Sequence, residues 1–283
     1  MRRLAAVAAL ALGLAAAGCG SRGAVTAPGS SGWTPTGKAC DTGGPGCISL
    51  ISAAMTTRYR PLAAACDDRA PFALMYLRVT QGVGRDETGF ADRSYLVRLD
   101  AAFARLYFDA FDAWGERRRS AVPLAWQIAF EAAAGRRVSV LGDLLLGMNA
   151  HISRDLPYAV SALGLSAARK RSFEQVNTVL ERVTRPILQE EARRFDPAVT
   201  RFSLPVLSAS PGTLGAVLAG WRNSAMRDAE RLMHAKPGAA REAVARSIDQ
   251  TAAARAALIA AATTQVPFSQ AGKSRQAYCR ARR

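Results

Sequence analysis

An all-α fold follows from three observations on this sequence. Apolar residues recur at three- and four-residue spacing from Ile48 onward. No stretch sustains the period of two that a half-buried strand needs, and no fixed internal repeat is present. With 283 residues, 49% of them hydrophobic, the chain can bury a sizeable core. The expected architecture is a single bundle domain of about eight helices over residues 47–283.

Residues 1–46 are set apart by composition. Arg2 and Arg3 precede the apolar run Leu4–Ala17, which leads into Gly18 and Cys19. A charged start, a short apolar core and small residues before a cut site form a secretory signal. Small residues directly before a cysteine resemble the bacterial lipobox, with Ala16 where leucine is usual. We therefore expect a signal peptide over residues 1–18 and lipidation of Cys19. The chain is then exported and anchored to the outer face of the cytoplasmic membrane. Residues 19–46, rich in Gly, Ser, Thr and Pro, read as a flexible tether.

The helices follow in order. Ile48, Ile51 and Met55 mark a short first helix. Asp68 precedes a second, with Pro71 in its first turn, where a missing N–H costs nothing, and Gly82 and Gly84 at its close. After Asp92 the third carries the clearest stripe: Tyr95, Leu99, Phe103, Leu106, Ala110 and Trp114. Arg117-Arg118-Arg119 is a solvated turn, and a fourth helix begins near Pro123. The fifth runs from about Val138 to Arg154, with Pro157 expected to end or kink it. Ser172 opens a sixth, interrupted near Pro186. Residues Phe195–Pro211 are irregular, and two helices, roughly Thr213–His234 and Ala239–Thr263, complete the chain. The uncharged run Ser203–Trp221 holds prolines, glycines and hydroxyls and is too weakly apolar to span a membrane.

Beyond Cys19, four cysteines remain, an even set suited to an oxidising compartment. Of three possible pairings, the Gly-rich stretch between Cys40 and Cys47 favours joining those two. Cys66 and Cys279 then close the long loop. The net charge of +16 comes almost wholly from arginine; only Lys38, Lys170, Lys236 and Lys273 are lysines. With so much Ala and Gly, that bias is one of GC-rich codons, so nucleic acid is not an expected partner. A basic exported chain meets anionic lipid or cell-wall polymer instead. Composition says nothing of oligomeric state.

Chemistry-bearing residues concentrate in the fifth helix. Asp143, Gly147, His151 and Asp155 step by four along one face. An imidazole and a carboxylate one turn apart can act as base and orienting group, can share a metal, or can form a buried structural pair. Asn149, Arg154 and Tyr158 flank them, and Asn149 and Arg154 are candidate contacts for an anionic group. Asp109, Asp112 and Glu116 lie at helical spacing on the third helix, where a solvated charged face is the simpler reading. Asp100 beside Leu99 is ambiguous, and His234 falls at a helix end. No nucleophile elbow, P-loop or dinucleotide fingerprint is present.

The segment Leu144–Leu156, with its Gly-Met-Asn-Ala-His-Ile-x-x-Asp-Leu core, resembles the bacterial family known as domain of unknown function 5995. The Trp126–Phe130 helix and the Trp221-Arg222 segment agree with it, so the resemblance covers about Ile48 to Leu258. That family implies no activity. Gly147-x-x-x-His151-x-x-x-Asp155 is also similar to the Gly…His-x-x-x-Asp helix of zinc-dependent phospholipases C and single-strand nucleases. Those enzymes are all-helical, exported and zinc-binding. This more distant resemblance implies His151 and Asp155 as metal ligands; apart from it, Asp112 on the third helix is a candidate further carboxylate for such an ion. A chain whose only histidines are His151 and His234 can support one divalent ion, zinc, at most. Two functions therefore stand open: an envelope binding or structural protein, or a metal-dependent hydrolase of phosphoester or lipid substrates using His151 and Asp155.

Overall fold

The computed structural model describes residues 38–200, 214–264 and 274–282. The signal peptide and Cys19 expected from the sequence lie outside the described residues, as do 201–213. Every regular element described is helical. In chain order these are α1 (Lys38–Thr42), α2 (Cys47–Ala65), α3 (Ala70–Asp86), α4 (Arg93–Gly115) and α5 (Leu124–Ala134). They continue with α6 (Val140–Asn149), a π-helical segment (Ala150–Asp155), α7 (Leu156–Leu163) and α8 (Ala167–Arg194). The last are α9 (Leu214–His234), α10 (Ala239–Thr264) and α11 (Arg275–Arg280). The fold is an all-α bundle, and no described helix is long and apolar enough to cross a membrane.

Local signals explain several helix starts. The Asp92 side chain accepts the Tyr95 N–H and caps α4, and the Ser166 and Ser139 hydroxyls do the same for α8 and α6. Pro71 lies in the first turn of α3.

Three expectations need correction. Gly82 and Gly84 lie inside α3 and do not end it. A Cβ on Gly82 would meet Val183 at 2.9 Å, and one on Gly84 would meet Ile48 at 2.8 Å. These glycines permit close helix contact. Pro186 does not interrupt α8, because it faces solvent, where water can take the unbonded carbonyl. The first helix is long, 19 residues, and passes through Pro61 on its exposed face.

The stretch read as tether contains α1. Arg93 donates to the Gly43 carbonyl and Ser94 to that of Thr42, which ties this segment to the start of α4. Disulfides join Cys40 to Cys47 and Cys66 to Cys279, and all four cysteines are buried. The second bond, with Arg275 bridging Asp68 and Asp143, docks α11 on the turn between α2 and α3 and on α6. One core runs through the bundle, and the π segment lies near its middle, packed by α4, α5, α9 and α10.

Candidate functional site

The site begins with a backbone irregularity. After Asn149 the helix widens into a π turn, in which the Leu156 N–H bonds the His151 carbonyl five residues back. Pro157 follows one residue later. In an α-helix its ring would press on the carbonyl four residues back, and the wider turn relieves that contact without ending the helix. The expected break at Pro157 is thus replaced by a bulge, and α7 continues to Leu163. Six consecutive residues, Ala150–Asp155, are buried there, among them His151, Arg154 and Asp155.

His151 and Asp155 meet as their spacing implies. Nδ1 of His151 lies 3.1 Å from Oδ2 of Asp155, and the indole N–H of Trp126 donates to the same oxygen at 2.8 Å. Arg154 donates to the other oxygen at 3.0 Å. An ionised carboxylate only accepts, so the Nδ1 of His151 carries the proton and Nε2 is left as an acceptor. The ring is stacked on Phe103, with centroids 3.4 Å apart and planes within 6°, and Tyr76 approaches its face at 4.3 Å. Burial lowers the pKa of the imidazole from its usual value, against the pull of Asp155, so the neutral form is favoured. Nε2 has no protein partner.

Nε2 belongs to a polar pole on an otherwise apolar, partly open cavity of about 100 Å³ lined by α3, α4, α6, the π segment, α7, α8 and α9. Most of its wall is aliphatic or aromatic, including Met75, Leu99, Leu180 and Ile187. Three polar atoms on residues that line it are buried without partners: the Tyr76 hydroxyl, Asp100 Oδ2 and His151 Nε2. Part of Asp100 remains accessible, yet its Oδ2 is buried, and desolvation pushes its pKa up to about 7. Burial, helped by Asp100, holds the Tyr76 hydroxyl firmly protonated. The pole thus offers donors from a phenol and a carboxylic acid beside an imidazole acceptor.

The other candidates lie elsewhere. Asp112 is bound to Arg58 at 2.6 Å, and Asp109 faces Arg105. Asp143 pairs with Arg275, and His234 is exposed at the end of α9. Both Asp155 oxygens are occupied by donors, and among the described residues no group of three or more His, Cys, Asp or Glu side chains could hold a metal ion. The donor set of His151, Asp155 and Asp112 therefore does not fit a zinc ion. Asn149 donates to the Ala252 carbonyl, and Arg154 is held by Asp155 and Asp249, so neither is disposed toward an anion in the cavity. Phe72 fills the space left by Gly147: its ring lies 2.3 Å from where a Cβ would stand. The gap serves helix packing.

Sequence reasoning did not mention Tyr76, used Arg222 only as part of the family resemblance, and left Asp100 undecided, though all three line the cavity. A signal for two of them exists. Asp100 stands one position from Leu99 and three before Phe103 on the buried stripe of α4. Arg222 falls midway between Leu218 and Met226, four residues from each, on the buried face of α9. Charges at core positions are rare enough to mark a site.

Residues 48–262 match the sequence profile of a family described as "Family of unknown function (DUF5995)". No curated protein and no solved structure matches the chain.

Proposed function

Because the chain belongs to the DUF5995 family, whose description carries no activity, its role has to be read from its own site, and we propose that it is a binding protein for a small, predominantly apolar ligand. One observation carries this reading: an apolar cavity whose only cluster of unpartnered polar atoms, among the described residues, is gathered at one pole around His151. Buried polar groups normally find partners, and a ligand hydroxyl or carbonyl placed there would supply them. Asp155 and Trp126 fix the imidazole, so the acceptor is pre-oriented and binding costs little rearrangement. The alternative of a metal-dependent hydrolase lacks its ligand set, and no step is assigned to it.

The second part of the proposal concerns place. The signal-like N-terminus and Cys19 support an exported lipoprotein that presents this domain at the membrane surface. Two disulfides, which use all four cysteines beyond Cys19, agree with an oxidising compartment. Cys19→Ala should release the chain from the membrane fraction; a variant that stays bound counts against lipidation.

Titration of the full chain with octanol by calorimetry tests the ligand reading. Saturable binding is expected, and Thr184→Phe, which fills the cavity from a half-buried lining position, should abolish it while leaving the helical circular dichroism intact. Equal binding by the folded variant would overturn the proposal.

A further inference from the structure

Resting on that reading of the cavity, we infer that the ligand is an apolar monocarboxylate and that Arg222 supplies its counter-charge. Arg222 lines the cavity from α9 and is only 6% exposed. Its Nη2 donates to the Phe173 carbonyl and its Nε to Asn177 Oδ1 at 2.8 Å, and the guanidinium lies over the Phe173 ring, 4.2 Å from its centroid. All of these partners are neutral. Among the described residues no carboxylate forms an ion pair with it.

The contrast within the same molecule is direct. Arg154, equally buried, contacts two carboxylates, Asp155 and Asp249, and Arg275 contacts Asp68 and Asp143. Buried charges in folded proteins are paired because a guanidinium taken from water without an anion loses solvation that nothing offsets. The missing anion cannot be a side chain from the segments outside the described residues. All 22 aspartates and glutamates of the chain fall within 38–200, 214–264 and 274–282. An external anion remains, and the cavity is the space that Arg222 shares with it.

Charge and shape narrow its class. One cation, with two of its nitrogens already committed, balances one negative charge; a dianionic phosphate would remain half uncompensated among aliphatic walls. Arg222 and the His151 pole both border the cavity, and the electrostatic neighbour of Arg222 is Tyr95. Burial draws its pKa down to about 10, still cationic at neutral pH. The volume corresponds to roughly seven waters at about 15 Å³ of such space each, the room of a medium-length acyl chain. A carboxylate on Arg222 with its hydrocarbon in the cavity meets both constraints.

Calorimetric titration of the full chain at neutral pH with octanoate, octanol and octylamine tests this. Octanoate should bind roughly tenfold tighter than octanol, as expected for a charge-assisted bond, and octylamine weakest. Arg222→Gln should abolish the preference, so that the folded variant binds octanoate no tighter than octanol, and Arg222→Lys should keep part of it. The ranking in the wild-type chain stands even where a variant does not fold. Octanol binding as tightly as octanoate would overturn the carboxylate and leave the cavity reading intact. A preference for octylamine would overturn it too, moving the polar contact to Asp100. Binding of none of the three would overturn the cavity reading itself.

Discussion

Asp155 receives three donors on two oxygens at full burial, so its charge is compensated from Trp126, His151 and Arg154 together. Asp155→Asn keeps the shape but places an amide N–H₂ against one of those donors and leaves Arg154 with Asp249 alone. A loss of about 3 kcal/mol is expected, in the range for breaking a buried pair, measured by urea denaturation. A variant within ~1 kcal/mol of the parent would mean that Asp155 contributes little to the fold. Proton linkage separates two neighbours. Asp100 has its pKa raised from 3.8 to about 7, so between those values the unfolded chain releases a proton that the folded chain keeps, and stability falls as pH rises through the window. Asp143, beside Asp68 on a single guanidinium, is pushed up to about 8 by burial and acts in the same direction. His151 acts in reverse: its pKa is lowered from 6.5, so the unfolded chain takes the proton first and stability is lost as pH drops below that value. Asp100→Asn should therefore lose less stability than the parent between pH 5 and pH 8 in denaturant titrations; an unchanged difference would refute the buried acid. At this scale the sequence was half legible. The spacing of four placed His151 on Asp155, but a carboxylate such as Asp100 reveals its surroundings only when α3, α8 and α9 close over it.

Helix stripes were the most readable feature, since burial of one face imposes a period that composition cannot hide. The stripe from Tyr95 to Trp114 became α4, with Asp92 as its cap, whereas Ser172, read as the opening of the sixth helix, lies inside α8, which starts at Ala167 and is capped by Ser166. Glycines were misread because one residue type serves two ends: it terminates helices, and it also lets two helices approach. Only the neighbour decides, and Val183 is far from Gly82 in sequence, as Phe72 is from Gly147, which was not read as a helix end. Gly147→Ala tests the second use. Alanine favours a helix by ~1 kcal/mol, yet its Cβ would fall 2.3 Å from the Phe72 ring, an overpacking cost of about 3 kcal/mol. A net drop of about 2 kcal/mol in unfolding free energy is expected, and a stabilised variant would show that α3 and α6 can separate. The π segment could not be foreseen from periodicity, because it arises from accommodation of Pro157 within a helix that neighbours on four sides hold in place.

Two crosslinks of very different span hold the whole molecule. Cys66–Cys279 separates its partners by 213 residues and Cys40–Cys47 by 7, so the loop-entropy model assigns them roughly 5 and 2.5 kcal/mol. Replacing Cys279 by Ser should therefore lower the denaturation midpoint clearly more than replacing Cys40 by Ser; the reverse order would mean that α1 matters more than α11. The same pair of spans has a consequence in time. A growing chain presents Cys40 and Cys47 almost together, whereas Cys66 must wait for a partner made 213 residues later. The early pair consumes itself and withdraws the two rival thiols. Only one thiol is then left for the last to meet, so the order of arrival along the chain, before any finished shape exists, selects one pairing out of three.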